Sequence, residues 1–182
     1  MKKLAEGKKS MDQQEKRKLD LAYGLLDLLK HNAIEKITVD QICRKAQIHR
    51  STFYRHFQDK YDLLHHALDS FWFEKIDEKD VLGSTVRLIA QNKDVFRNIS
   101  INNENNSSYW ILLKMWSEQL LECERQGMLK DAKWIDQTFR RSKHPKLAIH
   151  MTAGALLTLF FEWGSSNYQM EPEELIEFIH NI

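Results

Sequence analysis

Between Thr38 and Lys60 the chain reads TVDQICRKAQIHRSTFYRHFQDK, a run that gathers basic, hydroxyl and aromatic side chains onto two short stretches parted by a turn. Arg50 carries a guanidinium able to donate twice to N7 and O6 of guanine. Ser51 and Thr52 can reach phosphate or a base, and the Thr52 methyl can pack on thymine. The phenol of Tyr54 and the imidazoles of His49 and His56 can donate to phosphate, and Arg55 adds a charge on the flank. Thr38 can offer its hydroxyl to a phosphate while capping a helix. Lys60 places an ammonium beside the free amides of a following helix, which already favour an anion. The chemistry these residues share is recognition of a double-stranded, polyanionic ligand with readable edges.

Such side chains work only if a small core holds them at a fixed angle, because a major groove about 12 Å wide admits a single helix. Val39, Ile42, Ala46, Ile48, Phe53 and Phe57 recur at helical spacing and supply that core. Thr38 is a good N-cap for the first of the two helices. Gln47 and Ile48 make the turn, and the second helix spans about Arg50 to His56. A preceding helix from about Gln13 to His31 brings Leu21, Leu25, Leu28 and Leu29, flanked by Ala22 and Leu26, with Asn32 to end it. Asp59 opens a fourth helix through Tyr61, Leu64, Leu68 and Phe71 to about Ile76.

The rest of the chain fits the same all-α class. It has 182 residues, only 2 Pro and 6 Gly, and few alternating runs, so long helices joined by short loops are expected. Residues 1–12 read as a basic, flexible arm, residues 1–66 as the helix-turn-helix domain, and residues 67–182 as a helical effector-binding and dimerisation domain. Charge separates the two: residues 1–66 hold 14 Lys and Arg against 9 Asp and Glu, and residues 67–182 hold 13 against 17. A basic third on an acidic body suits a polyanionic partner. Cys43 and Cys123 lie far apart, with no sign of a disulfide scaffold. The opening residues are polar, with no signal segment. The longest uncharged run, Leu147 to Phe161, is 15 residues, whereas a membrane span needs roughly 20. A cytoplasmic protein without a membrane partner is expected.

Thr38, Val39, Ile42, Ala46, the run Thr52-Phe53-Tyr54, the pair His56-Phe57, Lys60 and Leu63-Leu64 together resemble the DNA-binding domain of the tetracycline-repressor (TetR-type) family of bacterial regulators. The resemblance implies an all-helical homodimer whose N-terminal domain binds a palindromic operator and whose divergent C-terminal domain binds an inducer. It implies repression in the first instance, with activation or control by a partner protein as the alternative. Two positions depart from the family pattern: Gln47 stands where Gly is usual in the turn, and His49 where Ser usually opens the recognition helix.

The second half carries no phosphate loop, no zinc-type Cys/His spacing and no nucleophile elbow, so neither an enzyme nor a cofactor is expected. Its aromatics are the candidates for an effector pocket: Phe73, Phe96, Tyr109, Trp110, Met115, Trp116, Phe160 and Trp163, with His150 as a lone imidazole in an apolar helix. The effector they suit is small and apolar or aromatic; the plainer reading of each is core packing. Helices are expected over about Ser84–Ile99, from Ser107 or Ser108 to Gly127, and from Pro145 and Pro172 onward. The Pro145 helix is apolar nearly all round, so a second copy of the chain is expected to cover one side. A two-fold four-helix interface of that kind sets two recognition helices about 34–36 Å apart.

Overall fold

The computed structural model describes residues 12–72, 75–100, 107–129 and 133–182. Every regular element among them is helical: α1 (Gln13–Leu29), a 3-10 turn (Ile34–Lys36), α2 (Val39–Ala46), α3 (Arg50–His56), α4 (Lys60–Phe71), α5 (Val81–Gln91), α6 (Lys93–Ser100), α7 (Ser107–Arg125), α8 (Lys133–Arg141), α9 (Pro145–Ser165) and α10 (Pro172–His180).

The N-terminal unit is built on α1. Leu21, Ala22, Leu25 and Leu29 fall on one face at helical spacing and are buried against α2 and α4. Gly24 lets α2 come close, since a Cβ there would sit 3.4 Å from the Ala46 Cβ and the Ile42 carbonyl. α2 opens with a full capping box: the Thr38 hydroxyl accepts from the Gln41 amide at 3.3 Å, and the Gln41 side chain accepts from the Thr38 amide at 2.8 Å. It closes on Gln47, which adopts φ 56°, ψ 37°. The Ile48 amide then donates to the Cys43 carbonyl at 2.9 Å and the Gln47 amide to the Arg44 carbonyl at 3.2 Å, the paired bonds of a Schellman stop. The turn expected to need glycine is therefore made in full by glutamine, in a conformation that an L-residue adopts at a cost.

α4 begins at Asp59, whose carboxylate accepts from the Tyr61 and Asp62 amides. It ends at Phe71, short of Ile76, and runs straight through the expected boundary at residue 66, so it belongs to both units. The helix expected from Ser84 to Ile99 is two helices. Asn92 breaks it at φ −126°, ψ 36°: its side chain donates to the Leu88 carbonyl at 2.9 Å, while its own carbonyl accepts from the Phe96 amide and starts α6. The change of axis lets Val86 and Ile89 of α5 and Val95, Phe96 and Ile99 of α6 all reach the core.

In the body, α7 and α9 pack along each other. α6 and α8 lie on α9, α10 lies on α5, and α4 packs on α7. Gly127 stops α7 at φ 68°. α9 is long and apolar enough to cross a membrane, but half of its most apolar stretch is buried inside the molecule. The two units share one continuous core. At their junction the Trp72 and Phe96 rings stack at 5.9 Å, and the Asn98 amide of α6 donates to the Leu29 carbonyl at the end of α1.

Candidate nucleic-acid interface

α3 presents two faces. Phe53 is fully buried and Phe57 nearly so, their rings 5.8 Å apart, and both key the helix to the core. The opposite side offers His49, Arg50, Ser51, Tyr54 and Arg55 to solvent, with Thr52 half-buried between them. Thr38 is exposed at the start of α2. His49 makes no side-chain cap, so its imidazole remains free to reach outward. Tyr54 is held in place by Arg50, whose Nη2 donates to the phenol oxygen at 3.3 Å and whose guanidinium lies 5.4 Å from the ring centre. That leaves the phenol proton for an outside acceptor.

Two of the expected contacts depart from this face. The Lys60 ammonium turns away from it and donates to three backbone carbonyls, those of Ile34 at 2.8 Å, Glu35 at 3.1 Å and Ile37 at 3.0 Å. An ammonium has three N–H bonds, so this set uses all of them. Lys60 braces the 3-10 turn that launches α2, and burial pushes its pKa below the ordinary value. His56 also points inward. Its Nε2 is buried without a hydrogen-bond partner, as is that of His66, and the Phe57 ring lies close to both imidazoles. Burial lowers both histidine pKa values, and Lys18, then Arg55 and Arg17, add to the effect on His56. Asp40, which composition did not single out, stands beside Arg50: its carboxylate accepts from Nη1 at 2.9 Å. An aspartate in the first turn of α2, ten residues before an exposed arginine, was the available signal.

The expected effector-lining residues are dispersed. Phe96, Met115, Trp116, Phe160 and Trp163 are buried against neighbouring rings and helices, Trp116 on Phe160 at 5.1 Å and Trp163 on Tyr168 at 4.9 Å. The apolar space beside Trp116, bounded also by Ile76, Val81, Leu82 and Cys123, is about 20 Å³, room for one water. Tyr109 is half-buried and packs on Phe161 at 6.0 Å. Trp110 is 63% exposed. His150 is exposed and not a core histidine, with Nδ1 3.3 Å from the Ser117 hydroxyl. Phe73 lies outside the described residues.

A short basic helix, braced from behind and set across a tight turn from α2, defines a helix-turn-helix protein of the kind that reads duplex DNA. Residues 25–67 match the family model described as bacterial regulatory proteins, tetR family. That segment is a DNA-binding domain of the TetR type, and every regular element among the described residues is helical. The chain is 28% identical over 125 residues to the HTH-type dhaKLM operon transcriptional activator DhaS of Lactococcus lactis subsp. lactis (strain IL1403), a match that covers 64% of this chain and 65% of that protein. The fold is shared with the solved dihydroxyacetone kinase operon activator DhaS, at TM-score 0.58 and 22% identity over 91% of this chain and 92% of that one. It is shared also with a TetR-family regulator from Syntrophomonas wolfei str. Goettingen, at TM-score 0.59 and 18% identity over 93% of each chain.

Proposed function

We propose that this chain is a transcriptional regulator that binds a palindromic operator as a homodimer, in the cytoplasm, with α3 of each copy in successive major grooves. The carrying observation is the division of α3 itself, with Phe53 and Phe57 locked in the core and Arg50, Ser51, Tyr54 and Arg55 presented together on the other side. The dimer reading is supported by an apolar stripe left uncovered on the last two helices: Leu147 (67% exposed) and Met151 (64%) lie one turn apart on α9, and Phe178 and Ile182 lie on and just beyond α10. Two such stripes meeting about a two-fold axis would bury each other. Selection of sites from random duplexes by the purified chain tests the reading. A site with two-fold symmetry and half-sites about one helical turn apart is the expected result; no preference among duplexes at low salt would refute it.

Two readings of its control follow. In the first, it is a repressor released by a small apolar or aromatic effector bound in the body. In the second, it is an activator, or is governed by a partner protein, with no small-molecule inducer. The second is favoured by the packed state of Phe96, Met115, Trp116, Phe160 and Trp163, which must separate before any ligand could lie among them. It is favoured too by the role of the DhaS relative as an operon activator. Transcription from a promoter carrying the selected site, with and without the protein, distinguishes activation from repression.

A further inference from the structure

Asp40 is out of place on a surface built to meet phosphates. It is 57% exposed on the first turn of α2, and a carboxylate facing a polyanion weakens every encounter with DNA. Among the described residues its carboxylate pairs with Arg50, the first residue of α3: Nη1 to Oδ1 at 2.9 Å. Tyr54 holds the other end of the same guanidinium, from Nη2 at 3.3 Å. The arginine is thus fixed at two nitrogens by two different helices and still has three of its five N–H donors unused. Asp40 and Arg50 also line an open recess of about 590 Å³ between α2 and the start of α3, with Cys43, Arg44, Gln47, Ile48 and His49 around it.

An arginine on a flexible stem contacts phosphate or base indifferently, whereas one held in plane is presented for two-point donation to N7 and O6 of guanine. The carboxylate also neutralises part of the charge that would draw Arg50 to any phosphate. It stays repulsive toward carbonyl acceptors of a mismatched base, and discrimination grows as much from such penalties as from attraction.

We propose that Asp40 is a specificity-determining residue, positioning the Arg50 guanidinium for guanine and weakening binding wherever guanine is absent. This rests on the DNA-binding reading above. The experiment uses the full chain: wild type, Asp40→Ala, Asp40→Asn, Arg50→Ala and the Asp40→Ala/Arg50→Ala double variant. Each is titrated against the wild-type selected site, against that site with each base pair changed in turn, and against an unrelated duplex. Asp40→Ala should bind the unrelated duplex several-fold more tightly. It should lose about ten-fold of its discrimination at one base pair per half-site, the pair at which Arg50→Ala also loses it. Asp40→Asn, which keeps an acceptor oxygen, should recover part of that discrimination, and the double variant should match Arg50→Ala at that pair. Unchanged discrimination in Asp40→Ala overturns the proposal. So does tighter specific binding without loss of discrimination, which would make Asp40 a brake on Arg50. A wild-type chain that selects no site removes the underlying reading and this inference with it, a result distinct from either. The side chain is exposed, and a thermal melt of each variant checks that the fold is kept.

Discussion

Replacing Lys60 by methionine separates a brace from a phosphate contact. Methionine keeps most of the aliphatic stem and removes only the ammonium, so packing along the stem is retained. Three carbonyls lose a charged donor. The Ile34 carbonyl keeps the Ile37 amide at 3.2 Å, which leaves those of Glu35 and Ile37 as the principal losers. At about 1 kcal/mol for each acceptor left short, with a further contribution from losing a charged hydrogen bond, the cost is about 2–3 kcal/mol. Desolvation of the ammonium, already visible in its lowered pKa, keeps the figure from rising further. For a chain of this length the melting temperature should fall by about 5–10 °C. Calorimetry or denaturant titration reads the loss. DNA binding across a salt series reads the alternative, since a phosphate contact contributes about 0.9 to the slope of log K against log salt. The expected result is a marked loss of stability with the slope unchanged. A variant of wild-type stability whose slope is flatter by about one would refute the reasoning, because it would mean the ammonium leaves its carbonyls for the DNA.

Gln47→Gly should stabilise the chain by about 0.5–1 kcal/mol, because glycine relieves the left-handed residue at the end of α2 by more than it adds to unfolded-chain entropy; a denaturant midpoint that does not rise would count against strain at that turn. Asp27 accepts from Lys45 and Lys30, which hold its pKa down to about 2 from an ordinary 3.8. Its contribution is present above the ordinary value and fades as pH falls toward 2. The pair is largely solvated, so Asp27→Asn should cost no more than about 1 kcal/mol at pH 7, and the gap from wild type should close between pH 4 and 2. Acid titration of both proteins followed by circular dichroism checks the window. Leu147→Glu with Met151→Glu should give monomers by sedimentation at micromolar concentration and weaken operator binding more than ten-fold; a dimer that persists would place the interface elsewhere.

The helix-turn-helix was legible because several local signals agree over a short span. The Thr38 cap, the apolar positions Val39, Ile42, Phe53 and Phe57, and the cap at Asp59 are each set by neighbours a few residues away, and the helices fall within a residue or two of where those signals put them. The bracing role of Lys60 was not legible, for the converse reason. Its partners lie 23 to 26 residues earlier, and nothing in the local pattern says whether an ammonium in a first turn will meet an anion or reach back to carbonyls. The same holds for His56, whose half-buried ring lies 6.4 Å from that of Phe57 and whose pKa is lowered by burial and, next, by charges that include Lys18 and Arg17 of α1.

In the body, the strength of the hydrophobic signal was itself the obstacle. Aromatic residues at helical spacing announce burial but not what they are buried against, and a wall of a pocket and the filling of a core have one pattern. Phe96, Trp116, Phe160 and Trp163 belong to the filling: Phe96 and Phe161, and Trp116 and Phe160, meet across helices, and Trp163 is closed by Tyr168 from the turn after α9. The split at Asn92 is hidden from periodicity because its apolar neighbours keep helical spacing on both sides, while the break lies in the backbone turn at Asn92 and its side-chain bond to Leu88. What periodicity did forecast in α9 was the need for cover on more than one side. The described helices of this chain hide Ala148, Thr152, Leu156, Phe160 and Trp163 yet leave Leu147 and Met151 in water. An uncovered stripe beside a fully covered one on a single helix is what a subunit interface requires, so a second copy would dock on the part of α9 that the described helices of its own chain do not reach.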